Sequence, residues 1–211
     1  MIRLVVADDQ AILRKGLVAL LRLEGDLEVV GEAADGASTL AAVAQHRPDV
    51  LLLDVQMPAG TTAEGGPGPE DGIAVARNLQ GADGAPRIIV LTTFGRAGYL
   101  RRTLEAGAQG FMVKDTPVEQ LVDAIRRVHQ GLRVVDPELA AQSLAVGPSP
   151  LTAKETEVLQ ATAAGGTTAR IAAGLFLSEG TVRNHLSAVI GKLGVTNRAE
   201  AVRTASDNGW I

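Results

Sequence analysis

The chain has 211 residues, 46% hydrophobic and 21% charged, with a formal net charge of −4 and no cysteine. That length suits one or two domains that each bury a core, and that composition excludes a disordered chain. The lack of cysteine excludes a disulfide framework and thiolate chemistry. The apolar run at the N-terminus is too short for a signal peptide, and no stretch reaches the length of a membrane-spanning helix. The expectation is a cytoplasmic protein without membrane contact. Residues 1–149 carry a net charge of −5 and residues 150–211 of +1, which is too little to mark a nucleic-acid binder.

The first two thirds alternate between strand-like and helix-like segments. IRLVVA (2–7) reads as a strand, and Ala11–Leu23 as a helix with Ile12, Leu13, Leu17, Leu20 and Leu21 at helical spacing. LEVVGEA (27–33) is a second strand, and Ala37–His46 is a helix broken by Pro48. DVLLLD (49–54) is a third strand, followed later by a short helix over Ile73–Gln80. RIIVLT (87–92) is a fourth strand, followed by a helix over Ala97–Ala106. GFMVK (110–114) is a fifth strand. Val118–Gln130 is a helix opened by Pro117 and stopped by Gly131. Strands apolar throughout, each followed by a helix, predict a parallel sheet covered on both faces.

Residues 131–149 change character, with a possible short helix over Pro137–Leu144 and then a Gly/Pro/Ser run. The domain boundary is placed at Ala145–Pro150. The rest reads as four helices: Ala153–Ala164, Thr168–Leu175, Glu179–Leu193 and Arg198–Asn208. The first opens with a Thr152-x-x-Glu155 capping box. The organisation expected is therefore residues 1–130 as one domain, 131–149 as linker and 150–211 as a second domain.

Between the third strand and its helix lies AGTTAEGGPGPE (59–70), far longer than the roughly 2–6 residues usual for such a loop. It has four glycines, two prolines and no large apolar side chain. The expectation is a mobile flap beside Asp54, which either shields the site from water or repels phosphodonors through Glu64 and Glu70, with a neutral surface insertion as the ordinary alternative; in every case its removal leaves thermal stability nearly unchanged.

In an open parallel sheet, ligands bind beyond the carboxyl ends of the strands. At that rim fall Asp8-Asp9, Asp54, Thr92-Thr93 and Lys114-Asp115. Closely packed carboxylates repel unless a cation joins them, and hard oxygen ligands suit Mg²⁺. A carboxylate beside that cation can attack a phosphoryl group, while a lysine and a threonine hold the transferred oxygens. Each residue also has an ordinary reading. An acid at a strand end often caps the next helix, and Lys114 could be a solvated charge. Their convergence on one rim argues for function.

The motifs ADD (7–9), LLLDVQMP (51–58), VLTTF (90–94) and AGAQGFMVKD (106–115) resemble a two-component receiver domain. LTAKETEVL (151–159), IAAGLFLSEGTVRNHL (171–186) and KLGV (192–195) resemble the LuxR-type helix-turn-helix of the NarL/FixJ response regulators. The resemblance implies a doubly wound five-stranded parallel sheet, order 2-1-3-4-5, joined to an all-α four-helix DNA-binding domain. It implies Asp54 as phosphoacceptor and Mg²⁺ held by Asp8, Asp9, Asp54 and the Gln56 carbonyl. It further implies Thr92 and Lys114 as the phosphoryl-sensing pair and Phe111 as an aromatic switch that turns inward. A sensor histidine kinase, double-stranded DNA and a homodimer formed on activation are the implied partners, and the protein is not an enzyme. Two departures stand out besides the long loop. Two glycines interrupt FGRAGYL, so that helix start is expected to fray. Arg170 stands where an acid would complete a second capping box.

In the second domain, Val182, Leu186, Val189 and Ile190 fall at core spacing in Glu179–Leu193, which leaves Thr181, Arg183, Asn184 and Ser187 outward. The N-terminal part of a recognition helix reads base edges in the major groove, where Arg pairs with guanine and Asn with adenine. Arg183 and Asn184 are the specificity candidates. Ser178, Thr181, His185 and Lys192 are expected to meet the backbone, with Ser187 also on the DNA face. Two rivals remain: a receiver that ignores phosphorylation, and an Asp-nucleophile phosphatase. The phosphatase wants an acid at the position of Gln56.

Overall fold

The computed structural model describes all residues except 94–96, 138–139 and 142–146. The short helix expected over Pro137–Leu144, the start of the Ala145–Pro150 boundary and the beginning of FGRAGYL lie wholly or partly outside the described residues. The chain divides into two compact units, and Ala140–Ile211 falls in the second.

From Ile2 to Val135 the chain runs β1 (Ile2–Ala7), α1 (Ala11–Leu21), β2 (Leu27–Ala33), α2 (Gly36–His46), β3 (Val50–Asp54), α3 (Gly72–Leu79), β4 (Arg87–Thr92), α4 (Ala97–Glu105), β5 (Gly110–Val113), α5 (Val118–His129) and β6 (Val134–Val135). Every strand pair is parallel, in the order β2-β1-β3-β4-β5-β6. The sheet therefore has six strands where five were expected. Val134 and Val135 pair with Gly110 and Phe111, so the segment expected as a linker begins as sheet. A two-residue strand carries no alternation or length by which to recognise it.

All five residues of β3 are buried, because helices cover both faces of the sheet. Leu4, Val6, Leu52, Ile89 and Leu91 share one core with Val18 and Leu21 of α1 and with Leu121, Ile125 and Val128 of α5. Each such side chain contributes about 1.5–3 kcal/mol of burial. The apolar stripe of α1 is only partly used this way. Ile12 is 91% exposed, and Leu13 and Leu20 are also exposed. They border a groove of about 420 Å³ that Asp8 and Lys114 also line.

The loop 59–70 folds back on itself as a small hairpin. Thr61 bridges Pro67, Thr62 N–H donates to the Gly66 carbonyl (2.8 Å), and Gly68 N–H to the Gly60 carbonyl (3.2 Å). This small hairpin docks on the start of α2, where the Gly36 and Ala37 N–H groups donate to the Pro58 and Ala59 carbonyls at 2.8 and 2.9 Å. A Cβ on Gly68 would stand 2.1 Å from the Ala59 carbonyl oxygen, and one on Gly60 would stand 2.1 Å from Asp35 Oδ1. The glycines permit close backbone approach, and backbone hydrogen bonds replace the missing apolar anchor.

The second unit packs α6 (Ala153–Ala163), α7 (Thr168–Gly174), α8 (Glu179–Leu193) and α9 (Arg198–Asp207) around Val158, Leu159, Ile171, Val182, Val189 and Ala201. All four helices carry side-chain N-caps, from Thr152, Thr167, Ser178 and Asn197. Only α6 has the reciprocal capping box expected from Thr152 and Glu155; Arg170 makes none at α7.

Candidate functional site

The carboxyl rim of the sheet gathers the acids. Asp8 follows β1 directly, and Asp54 ends β3. Both are buried, while Asp9 is exposed. Ligand oxygens of Asp8, Asp9 and Asp54 lie within 4.8 Å of one another. Lys114, the residue after β5, reaches Asp8 Oδ2 at 2.7 Å and Asp54 Oδ2 at 2.8 Å. Its backbone N–H donates to the Thr92 carbonyl at 2.8 Å, which ties the last residue of β4 to the lysine. Thr92 is 2% exposed. Gln56 N–H donates to Asp54 Oδ1 at 3.3 Å.

Burial pushes the Asp54 carboxyl above the ordinary carboxylate range, and the Lys114 ammonium offsets this only in part. Burial would lower the Lys114 ammonium, but the Asp54 and Asp8 carboxylates hold it above its usual value. Three carboxylates and one ammonium leave a net charge of −2 among hard oxygen donors. That donor set fits a divalent cation such as Mg²⁺.

Phe111 is fully buried. The aromatic expected to turn inward already stands inside the fold. His129 lines a cleft at the opposite pole of the sheet, and His46 ends α2 beside Gly31 of β2.

Two residues near the rim escaped the reading of the sequence. Gly72 opens α3 against the backbone of Asp54, where a Cβ would stand 1.9 Å from the Asp54 carbonyl oxygen. Arg14 of α1 donates through Nη1 to the Asp8 carbonyl and through Nε to Glu32 at 3.3 Å. Neither belongs to a local pattern, since both contacts join residues of separate elements.

In the second unit, α7, the turn at Leu175–Leu177 and α8 form the helix-turn-helix. Arg183, Asn184 and Ser187 are exposed on α8, and His185 is half-buried. Ser178 Oγ caps the Thr181 N–H at 3.0 Å and also meets Thr181 Oγ1 at 2.9 Å. Arg183 lies 3.4 Å from Glu179 in an exposed pair, which holds it weakly. Lys192 is placed differently. Its ammonium sits 2.7 Å from Glu155, whose side chain is 7% exposed, and Glu155 in turn accepts from the Thr152 N–H at 2.7 Å. Lys192 thus ties the end of α8 to the start of α6.

The Lys192 ammonium and the Thr152 N–H hold the Glu155 carboxyl below the usual glutamate range. A lowered carboxyl stabilises the fold at pH values above its unfolded pKa, and that stabilisation is lost as pH falls through the folded pKa. Glu155→Gln should therefore flatten the acid limb of stability in the second unit. Trp210, the one tryptophan of the chain, packs on that unit's core and reports its melting. Identical acid limbs in wild type and variant between about pH 3 and about pH 7 would remove the ion pair from this account.

A doubly wound parallel sheet with an acid cluster and a lysine at its carboxyl rim, in one chain with a helix-turn-helix unit, defines a receiver linked to a DNA-binding module. The chain belongs to the two-component response regulators of the LuxR-type class: the response regulator receiver domain family matches residues 4–126, and the luxR family of bacterial regulatory proteins matches residues 149–205. It is 41% identical over 211 residues to the uncharacterized transcriptional regulatory protein YvfU of Bacillus subtilis, covering 100% of both chains. It is 40% identical, with the same coverage, to the transcriptional regulatory protein DesR of Bacillus subtilis. Among solved structures, the response regulator ChrA of a heme-sensing two-component system matches at 35% identity and a TM-score of 0.56. That match covers 100% of this chain and 98% of the other. The response regulator RcsB in complex with DNA matches at 26% identity and a TM-score of 0.67, covering 98% of both. The protein is accordingly a transcriptional regulator of a two-component system, with a receiver and a LuxR-type DNA-binding domain. Among the described residues, no helix is long and apolar enough to cross a membrane.

Proposed function

We propose that Asp54 accepts a phosphoryl group from a sensor histidine kinase and that the modification controls dimerisation and DNA binding. The observation that carries this reading is the cluster of Asp8, Asp9 and Asp54 oxygens within 4.8 Å, with Lys114 spanning two of them. Asp8, Asp9, Asp54 and the Gln56 carbonyl would hold Mg²⁺, which supplies charge neutralisation for an incoming phosphoryl group. An Asp54 carboxylate oxygen forms the new bond to phosphorus as the phosphorus–nitrogen bond of the donor histidine breaks. The Lys114 ammonium, now on two carboxylates, turns to the transferred oxygens. Thr92, joined to Lys114 through its carbonyl, follows. The exposed apolar side chains Ile12, Leu13 and Leu20 border a groove that opens onto Asp8 and Lys114, which gives a kinase a surface beside the pocket.

The test is gel filtration of the full chain with and without acetyl phosphate and Mg²⁺. A shift to the dimer that Asp54→Asn does not show supports the reading. A wild-type elution volume unchanged by a phosphodonor that does label Asp54 would favour the phosphorylation-independent rival.

On the DNA side, Arg183 and Asn184 read base edges, while Ser178, Thr181, His185 and Ser187 meet the backbone. Lys192, held by Glu155, is the weakest of the proposed contacts. Arg183→Ala should relax specificity at one base pair per half-site, at a cost of about 1–3 kcal/mol. Binding to a panel of single-base operator variants checks this. A loss uniform across the panel would make Arg183 a phosphate contact instead.

A further inference from the structure

We propose that Arg14 is the positioning residue of the acid pair, holding the Asp8–Asp9 peptide so that both carboxylates face Asp54. This rests on the reading of Asp8, Asp9 and Asp54 as the cation site.

The turn that carries the two acids has little else to fix it from behind. Gln10 stands at the N-cap of α1 and makes no side-chain cap bond. The Asp8 side chain is engaged on the site side: Oδ1 accepts from the Gln10 N–H at 2.8 Å, and Oδ2 pairs with Lys114. The Asp8 N–H is used in the sheet, donating to the Ala33 carbonyl at 3.1 Å. The Asp8 carbonyl accepts from Arg14 Nη1.

That carbonyl belongs to the peptide unit whose nitrogen is the Asp9 N–H. Rotating this peptide redirects the Cα–Cβ vector of Asp9, whose exposed side chain has no packing to restore it. Arg14 is itself anchored. Its side chain is 13% exposed, and Nε donates to Glu32 on β2 at 3.3 Å. The planar guanidinium therefore braces the turn against the neighbouring strand through two donors in a fixed fork, which a lysine cannot reproduce. The pair with Glu32 also cancels the arginine charge, so the acid cluster keeps its attraction for a dication. Hydrogen bonds that orient carboxylate ligands from outside the ligand set set metal affinity in the same way.

The experiment is a calorimetric Mg²⁺ titration of the full chain in wild type, Arg14→Ala, Arg14→Lys, Glu32→Ala and Asp9→Ala, with urea melts as the check on folding. Arg14→Ala should weaken Mg²⁺ about 10-fold, and Arg14→Lys should fall between it and wild type. Uptake from acetyl phosphate should need correspondingly more Mg²⁺ for half-maximal rate, with the rate at saturating Mg²⁺ preserved. A merely structural role would lower stability and rate without moving the Mg²⁺ dependence. A folded Arg14→Ala with wild-type Mg²⁺ affinity overturns the proposal. If that variant does not fold, Glu32→Ala on the exposed edge of β2 decides, since it frees the guanidinium. A few-fold loss of Mg²⁺ affinity supports the brace, and no loss overturns it. Asp9→Ala separates the two readings. If it too binds Mg²⁺ as wild type does, the cation site itself is misassigned. If it loses Mg²⁺ while Arg14→Ala does not, only the positioning role falls.

Discussion

Asp54→Asn is expected to take up no phosphoryl group from acetyl phosphate, while melting at or slightly above the wild-type temperature. The first half follows from chemistry. In the proposed transfer the Asp54 carboxylate oxygen is the nucleophile, and an amide offers neither its charge nor a stable acyl phosphate. The second half follows from the electrostatics of the rim. Asp54 is 3% exposed and shares Lys114 with Asp8. Burial and the neighbouring Asp8 carboxylate raise its carboxyl, more than Lys114 lowers it. An acid whose folded pKa is raised destabilises the fold once pH exceeds its unfolded pKa. An isosteric amide removes that burden at neutral pH and leaves an acceptor for Lys114. Acid-labile phosphate counting and thermal melts measure the two halves separately. Stoichiometric labelling of the variant would move the acceptor to another acid. A large fall in melting temperature would mean that the Lys114 pair contributes more than burial costs.

Gly72→Ala should damage the receiver from a position with no functional group. A Cβ there would stand 1.9 Å from the Asp54 carbonyl oxygen and 2.9 Å from its carbon. Both neighbours are backbone, so neither can rotate away. The Gly72 N–H also donates to the Val55 carbonyl at 2.9 Å, which prevents α3 from sliding without losing a bond. Overpacking of this kind costs about 1–3 kcal/mol, and more where backbone must move. The strain is applied at the residue proposed to react. Displacement of a reacting group by about 1 Å costs on the order of 100-fold in rate. Gly72→Ala should therefore lower the melting temperature of the receiver by several degrees and slow uptake from acetyl phosphate about 100-fold. Wild-type values for both would show that α3 yields at no cost. A stability loss with wild-type uptake would uncouple Gly72 from the site.

The docked hairpin 60–68 changes one expectation drawn from composition. Glycine content alone suggested motion, and deletion of Thr61–Pro69 without thermal effect. Gly60 and Gly68 instead let two backbones meet over the N-terminus of α2, and deletion removes part of that docking. Glycine in a loop marks freedom or close approach, and only the neighbours tell which.

Much of this protein was determined by its sequence alone. Strands buried on both faces must be apolar throughout, so LVVA, VLLLD and IIVLT announce a parallel sheet with little ambiguity. Acids, a threonine and a lysine at strand ends then fall on one rim, because parallel strands share a direction. Capping is local, and Thr152 with Glu155 was legible as a box three residues apart. The tertiary structure alone decided what depends on residues far apart in the chain. Val134–Val135 become a strand because the edge of β5 offers unpaired groups, not because two valines prefer extension. Ile12 and Leu20 share helical spacing with Leu21, yet only Leu21 enters the core, since spacing defines a stripe and the sheet decides how much of it is covered. Lys192 could be a DNA contact or an internal brace on sequence grounds; Glu155, 37 residues earlier, supplies its partner at 2.7 Å. Arg14 and Gly72 act through backbone atoms of Asp8 and Asp54, and a backbone carbonyl is the same in every residue, so no side-chain pattern can announce such a contact.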